Sequence, residues 1–193
     1  MIKQGRQSAM LQCPPLVVLT GFRATGKTSV GRKLAHLSGY RFVDTDAMIV
    51  KRLGCSVAES VKQHGWQVFR QLEEQVLLEC AALKKTVLAT GGGAIMHHRA
   101  WQLLREHGTV IWLKADPATL LLRLHNDPNS SGQRPSLRST TSGVQGPAEE
   151  TAALLAEREP LYRAGSDLAV DTQGITPDTV AASIFQKLSR NTG

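Results

Sequence analysis

Aromatic side chains are scarce in this sequence, with three Trp, two Tyr and four Phe among 193 residues. No run of basic residues is interleaved with them, so the base-stacking platforms that hold single-stranded nucleic acid are missing. The formal charge of +7 therefore suits a small anionic ligand, and no specific nucleic-acid partner is expected. Cysteine is nearly absent too. Cys13, Cys55 and Cys80 are odd in number and lack C-x-x-C spacing, which excludes a disulfide framework or a zinc site and predicts reduced, mostly buried thiols. No apolar stretch approaches the roughly 20 residues that span a bilayer. The N-terminus also lacks a hydrophobic core ending in a cleavage signature, so the expected setting is cytoplasmic, without a membrane partner.

What the sequence does hold matches one ordinary globular domain, with 41% hydrophobic and 20% charged residues. Residues 1–15 are polar, mixed in charge and closed by Pro14-Pro15, the pattern of a flexible N-terminal extension before a domain at 16–190. Short apolar runs at 16–19, 41–43, 86–89, 109–113 and 168–170 read as strands. Stretches of helical spacing separate them: one from near Gly26 to Leu37, one dominating to Leu83, one around Trp101 and Leu104, and a last helix with Pro177 in its first turn. Strands alternating with helices imply a parallel sheet with helices on both faces, an α/β fold. Residues 126–147 break the pattern. They are rich in Ser, Gly, Pro, Asn and Thr yet contain Arg134 and Arg138, the composition of either a mobile lid or a tolerated surface insertion.

The sharpest local signal is Gly21-Phe22-Arg23-Ala24-Thr25-Gly26-Lys27-Thr28, which satisfies G-x-x-x-x-G-K-[ST] between a strand and a helix. Glycine at 21 and 26 permits a backbone whose N–H groups converge on phosphate oxygens, and the helix that follows turns its positive end toward them. Gly21, Ala24, Thr25, Gly26, Lys27, Thr28 and Ser29 are thus candidate contacts to ATP. Within that group Lys27 reaches the β and γ phosphates, and Thr28 binds Mg2+.

Three weaker signals lie downstream. Asp44-Thr45-Asp46 ends the second strand, at the edge where parallel sheets hold ligands. One carboxylate there can join a magnesium shell while the other orients an attacking hydroxyl, though an Asp in this position is also a frequent helix N-cap. Arg70 and Glu73 stand at i, i+3 on a predicted helix, as either an ordinary surface ion pair or a guanidinium aimed at a carboxylate. Gly91-Gly92-Gly93 offers bare backbone amides to an anion, or is simply a flexible turn.

The ordered set resembles the shikimate kinase family. It comprises the P-loop, Asp44-Thr45-Asp46, Gly65-Trp66 through Phe69-Arg70 to Glu73, Thr90-Gly91-Gly92-Gly93, Arg134-Pro135, and Glu157-Arg158-Glu159-Pro160-Leu161-Tyr162. The resemblance implies a nucleoside-monophosphate-kinase-like P-loop fold with a five-stranded parallel sheet and a lid near 126–147. It also implies ATP-dependent phosphorylation of the shikimate 3-hydroxyl, on the route to chorismate and aromatic amino acids, by a monomer. By the same resemblance Asp46 binds the shikimate hydroxyls, Arg70 and Arg158 bind its carboxylate, and Gly91, Gly92, Gly93 and Glu73 complete the acceptor site. Asp44 and Thr28 serve the metal, Arg123 and Pro177 flank the adenine, and Lys27, Asp46 and the lid residue Arg134 carry the catalysis.

Ala24 departs from the family pattern, which usually has glycine there. Its methyl group is expected to be tolerated only at a negative φ. Two rival readings follow from the P-loop alone: a sister small-molecule kinase, such as one for gluconate, or a regulatory P-loop protein. Arg70, Arg158 and the glycine run argue against the first, and only the charge supports the second.

Overall fold

The computed structural model describes residues 13–126 and 147–190. All five expected strands form: β1 (Leu16–Thr20), β2 (Arg41–Asp44), β3 (Thr86–Ala89), β4 (Thr109–Lys114) and β5 (Leu168–Asp171). They pair in parallel in the order β2-β3-β1-β4-β5. β1 lies at the centre and is buried at every position, because a parallel sheet covered on both faces leaves no strand side for water.

The period of two in a strand divides the apolar residues between two cores. Leu16, Val18, Leu88, Val110 and Trp112 face one side, while Val17, Leu19, Val87, Ile111 and Leu113 face the other. Helices α1 (Lys27–Ser38) and α7 (Pro177–Arg190) cover the second side through Val30, Leu34, Val180 and Ile184. The first side takes Ile49 from α2 (Thr45–Leu53), Val76 and Leu77 from α3 (Val57–Cys80), and Trp101 and Leu104 from α4 (His98–His107). A small third cluster joins Phe22 to Leu120 of α5 (Pro117–Asn126) and Leu154 of α6 (Pro147–Ala164). The sheet order sends β1 to β2 on one side and β3 to β4 on the other. The chain thus reverses direction around β1, and a crevice opens at the strand ends where the P-loop begins.

Several expectations need adjustment. The helix expected to reach Leu83 ends at Cys80. Cys13 packs against the α1/α7 core, and its carbonyl accepts a hydrogen bond from the Tyr40 hydroxyl at 2.9 Å, so the domain reaches back before residue 16. Residues 1–12 of the expected extension, and residues 127–146 of the expected lid, lie outside the described residues. Only Cys80 among the thiols is fully buried, and burial pushes its pKa up to about 11; Cys13 and Cys55 are half-buried. No described helix is long and apolar enough to cross a membrane.

Candidate active site

The P-loop forms between β1 and α1 as its spacing requires. Gly21 sits at φ 138°, and a Cβ there would lie 2.2 Å from the Leu113 carbonyl oxygen, so both conformation and space demand glycine. Gly26 is the N-cap of α1 at φ 90° and offers no capping side chain. The first turn of α1 also carries no acidic residue. Its first-turn amides and positive helix end therefore face the loop with no acidic or capping side chain competing for an external anion. Thr25 fixes the loop from within, its hydroxyl donating to the Phe22 carbonyl at 2.8 Å. The Lys27 ammonium lies across the loop, donating to the carbonyls of Gly21 (2.9 Å) and Phe22 (2.7 Å).

Ala24 corrects the expectation of a negative φ. It stands at φ 63°, in the left-handed region. That region is small but open to L-residues, at roughly 1–2 kcal/mol, so alanine is accommodated by absorbing strain rather than by avoiding the conformation. The loop is braced there by Arg123, which donates to the Ala24 carbonyl (3.3 Å), the Thr172 carbonyl (2.6 Å) and the Thr172 hydroxyl (3.0 Å). Arg123 and Pro177 both line a cavity of about 620 Å³ together with residues 23–30, Asp44 and Asp46, which puts the two expected adenine neighbours on the P-loop's own cavity.

The N-cap reading of Asp44 holds, and its second oxygen turns to the P-loop. Its Oδ1 accepts from the amides of Asp46 (3.0 Å) and Ala47 (3.3 Å), capping α2, while its Oδ2 accepts from the Thr28 hydroxyl at 2.8 Å. Two oxygens of the kind a hard cation prefers are thereby held side by side at the cavity wall. No cluster of three or more His, Cys, Asp or Glu suited to a metal occurs among the described residues.

A second, smaller hollow adjoins the first, with Asp46 and Arg23 lining both. Gly65, at φ 79° and ψ 166°, breaks α3 into two helical stretches. The second stretch brings Trp66, Phe69, Arg70 and Glu73 to this hollow. Trp66 and Phe69 meet edge to face with ring centroids 5.8 Å apart, and the Arg70 guanidinium lies 5.4 and 5.6 Å from those two centroids. Arg70 Nη1 donates to Glu73 Oε2 at 2.5 Å, and His97 Nε2 stands 2.9 Å from the same oxygen. This is no ordinary surface ion pair, because the Glu73 side chain is only 4% exposed. Burial raises the Glu73 pKa, but the hydrogen bond from His97 and the charge and hydrogen bond of Arg70 outweigh it and hold the carboxyl below its usual range.

The glycine run serves space more than free amides. The Gly91 amide already donates to the Thr45 hydroxyl at 3.0 Å, and a Cβ on Gly91 would lie 2.7 Å from Asp46 Oδ1 and 3.1 Å from Glu73 Oε1. A Cβ on Gly93 would lie 2.6 Å from Arg70 Nη1. The Gly92 carbonyl accepts from the Tyr162 hydroxyl at 2.5 Å and from Arg158 Nη1 at 3.4 Å. Burial pushes the Tyr162 pKa up to about 12, so that hydroxyl stays a donor. Arg158 is 6% exposed, lines the hollow, and its buried Nε has no hydrogen-bond partner among the described residues. A buried guanidinium left short of acceptors is costly unless an anion completes its shell.

All the candidate site residues meet at this one edge of the sheet except Arg134, which lies outside the described residues. Sequence reading gave no role to His97 or Tyr162. His97 belongs to no motif, and only the position of Tyr162, four residues after Arg158, hinted that the two share a helix face. A phosphate cradle opening onto a pocket lined by Asp46, Glu73, Arg23, Arg70 and Arg158, on this sheet order, is the layout of a P-loop small-molecule kinase of the nucleoside-monophosphate-kinase-like type.

The Shikimate kinase family model matches residues 23–189, and the chain belongs to the shikimate kinase family. A shikimate kinase from Oleidesulfovibrio alaskensis is 46% identical over 155 residues, covering 80% of this chain and 87% of the relative. Shikimate kinase 2 of Yersinia enterocolitica is 40% identical over 173 residues, covering 90% and 95%. Among solved structures, the shikimate kinase of Acinetobacter baumannii in complex with shikimate superposes with a TM-score of 0.81 at 32% identity, covering 92% of this chain and 94% of that one.

Proposed function

We propose that the protein transfers the γ-phosphoryl group of ATP to the 3-hydroxyl of shikimate, giving shikimate 3-phosphate for aromatic amino acid biosynthesis. The observation that carries this reading is the pairing of Arg70 and the under-satisfied, buried Arg158 with Asp46 in one hollow beside the P-loop. A small carboxylate bearing hydroxyls complements that set, since a planar guanidinium matches a carboxylate bidentately and a carboxylate accepts from a hydroxyl.

In this reading the first-turn amides of α1 and residues Gly21, Ala24, Thr25, Gly26, Lys27, Thr28 and Ser29 bind the triphosphate, with Arg123 and Pro177 beside the adenine. The Lys27 ammonium turns from the loop carbonyls to the β and γ oxygens, a short move for a flexible point charge. Thr28 and Asp44 would hold a magnesium ion, whose oxygen preference their paired oxygens fit. Such an ion, when bound, offsets the charge of the β and γ phosphates. Arg70 and Arg158 clamp the shikimate carboxylate, Glu73 steadies Arg70, and the backbone of Gly91, Gly92 and Gly93 closes over the ring. Asp46 accepts the hydrogen bond of the 3-hydroxyl and orients its oxygen toward the γ phosphorus. A loose transition state asks mainly for positioning and charge stabilisation, which this arrangement supplies. The enzyme works in the cytoplasm as a monomer, with no nucleic acid or membrane partner.

A coupled ADP-release assay with ATP and Mg2+ tests this, comparing shikimate, gluconate and no acceptor. Release dependent on shikimate is expected. Release with gluconate alone would overturn the acceptor site while leaving the P-loop reading intact, and release with neither would favour a regulatory P-loop protein.

A further inference from the structure

We propose that His97 is a positioning residue of the acceptor site: its Nε2–H anchors Glu73 and thereby fixes the Arg70 guanidinium in its carboxylate-binding place. The inference rests on the reading of Arg70 as the acceptor's carboxylate clamp.

Arg70 is a long side chain, 32% exposed, that must hold a fixed orientation to present a planar fork. Its hydrogen-bonding anchor is Glu73 Oε2, and that oxygen has a second ligand, His97 Nε2, at 2.9 Å. An ionised carboxylate only accepts, so the shared oxygen accepts a hydrogen bond from each neighbour and His97 carries its proton on Nε2. The His97 and Glu73 side chains are 10% and 4% exposed, so water does not substitute for this bond. His97 itself is rigidly mounted. It closes the single 3-10 turn Ala94–Met96 that follows Gly93, its amide donating to the Ala94 carbonyl at 3.1 Å, and its carbonyl accepts from the Trp101 amide at 2.8 Å at the start of α4. The chain segment that gives Arg70 room at Gly93 therefore also pins the carboxylate that Arg70 grips. Without the imidazole, Glu73 keeps one buried lone pair unpaired, and it can relieve that only by turning, which carries Arg70 with it.

A histidine kept merely for packing predicts something different: an apolar ring of similar size would serve as well. The test is steady-state kinetics of H97F, H97N and H97Q, each with a thermal unfolding curve. H97F keeps a ring without the donor, H97N has an amide too short to reach Glu73, and H97Q places an N–H at about the reach of Nε2. The shikimate KM is expected to rise about tenfold in H97F and H97N, with kcat and the ATP KM within about twofold of wild type, and to return to within about twofold in H97Q. In the R70K background H97F should add less than about twofold, because the residue acts through Arg70. An unchanged shikimate KM in both H97F and H97N, or an H97Q variant as impaired as H97F, would overturn the proposal while the clamp reading stands. If R70K itself leaves the shikimate KM unchanged, the clamp reading falls and the proposal with it.

Discussion

The hydroxyl of Thr28, the second residue of α1, donates to Asp44 Oδ2 at 2.8 Å and so joins the end of the P-loop to the end of β2. The two residues are 16 positions apart and belong to separate motifs, yet they form one oxygen pair at the wall of the nucleotide cavity. The other oxygen of Asp44 caps α2, so one carboxylate both holds a helix start and lines the cavity.

That double use makes Asp44→Asn informative. Asparagine caps helices about as well as aspartate, so stability should change by less than about 0.5 kcal/mol. The lost negative charge should nevertheless raise the Mg2+ concentration for half-maximal activity by about tenfold. A thermal melt beside a Mg2+ titration separates the two effects.

Asp46→Asn should lower kcat by about 10²- to 10⁴-fold while leaving the ATP KM within about twofold, since the amide keeps the shape and one acceptor oxygen but loses the negative charge that strengthens the hydrogen bond to the hydroxyl and can take its proton. Near-wild-type turnover would remove Asp46 from its orienting role.

Gly91→Ala and Gly93→Ala are expected to fail in different ways. Each added methyl meets the far end of a side chain rather than backbone, so both variants should fold. The Gly91 methyl displaces Asp46 and should cut kcat by up to about 10²-fold, the scale of a misplacement of about 1 Å. The Gly93 methyl displaces the Arg70 guanidinium and should instead raise the shikimate KM by about tenfold. Initial rates with shikimate varied at saturating ATP distinguish the two, and identical profiles would contradict the division of labour.

Glu73 supplies a pH signature. Its carboxyl is held below its ordinary value of 4.5 in the folded protein, so the stability it contributes is complete above the unfolded pKa and is lost as pH falls through the folded one. The difference in unfolding free energy between wild type and Glu73→Gln, from urea titrations, should therefore be constant near neutrality and shrink as pH drops below about 4.5. A difference that stays flat into acid would mean that the buried pair does not depend on the ionised carboxylate.

Much of this was written locally. The strand runs, the P-loop and the proline that opens α7 follow from side-chain period and turn chemistry within a few neighbouring residues, and β1 through β5 formed within a residue of their expected places. The motif at 21–28 required glycine at 21, where a Cβ would strike the Leu113 carbonyl, even though the contact itself could not be read. The pattern of Arg70 and Glu73 at i, i+3 could not tell a surface pair from a buried one, because exposure depends on what else packs against the helix.

Tertiary structure decided the rest. The sheet order, the break of α3 at Gly65 and the left-handed Ala24 all depend on how distant segments pack, and at Ala24 the fold holds a conformation that the residue alone disfavours. His97 and Glu73 are 24 positions apart, and Tyr162 reaches a carbonyl 70 positions away, separations at which no periodicity or motif survives. The sequence by itself determined that a phosphate-binding type of loop would form at the end of β1, because a few consecutive backbone amides and one helix terminus suffice for that. Which side chains surround the acceptor, and which of them hold one another in place, only the packed fold could decide, because those contacts exist where elements from opposite ends of the chain meet.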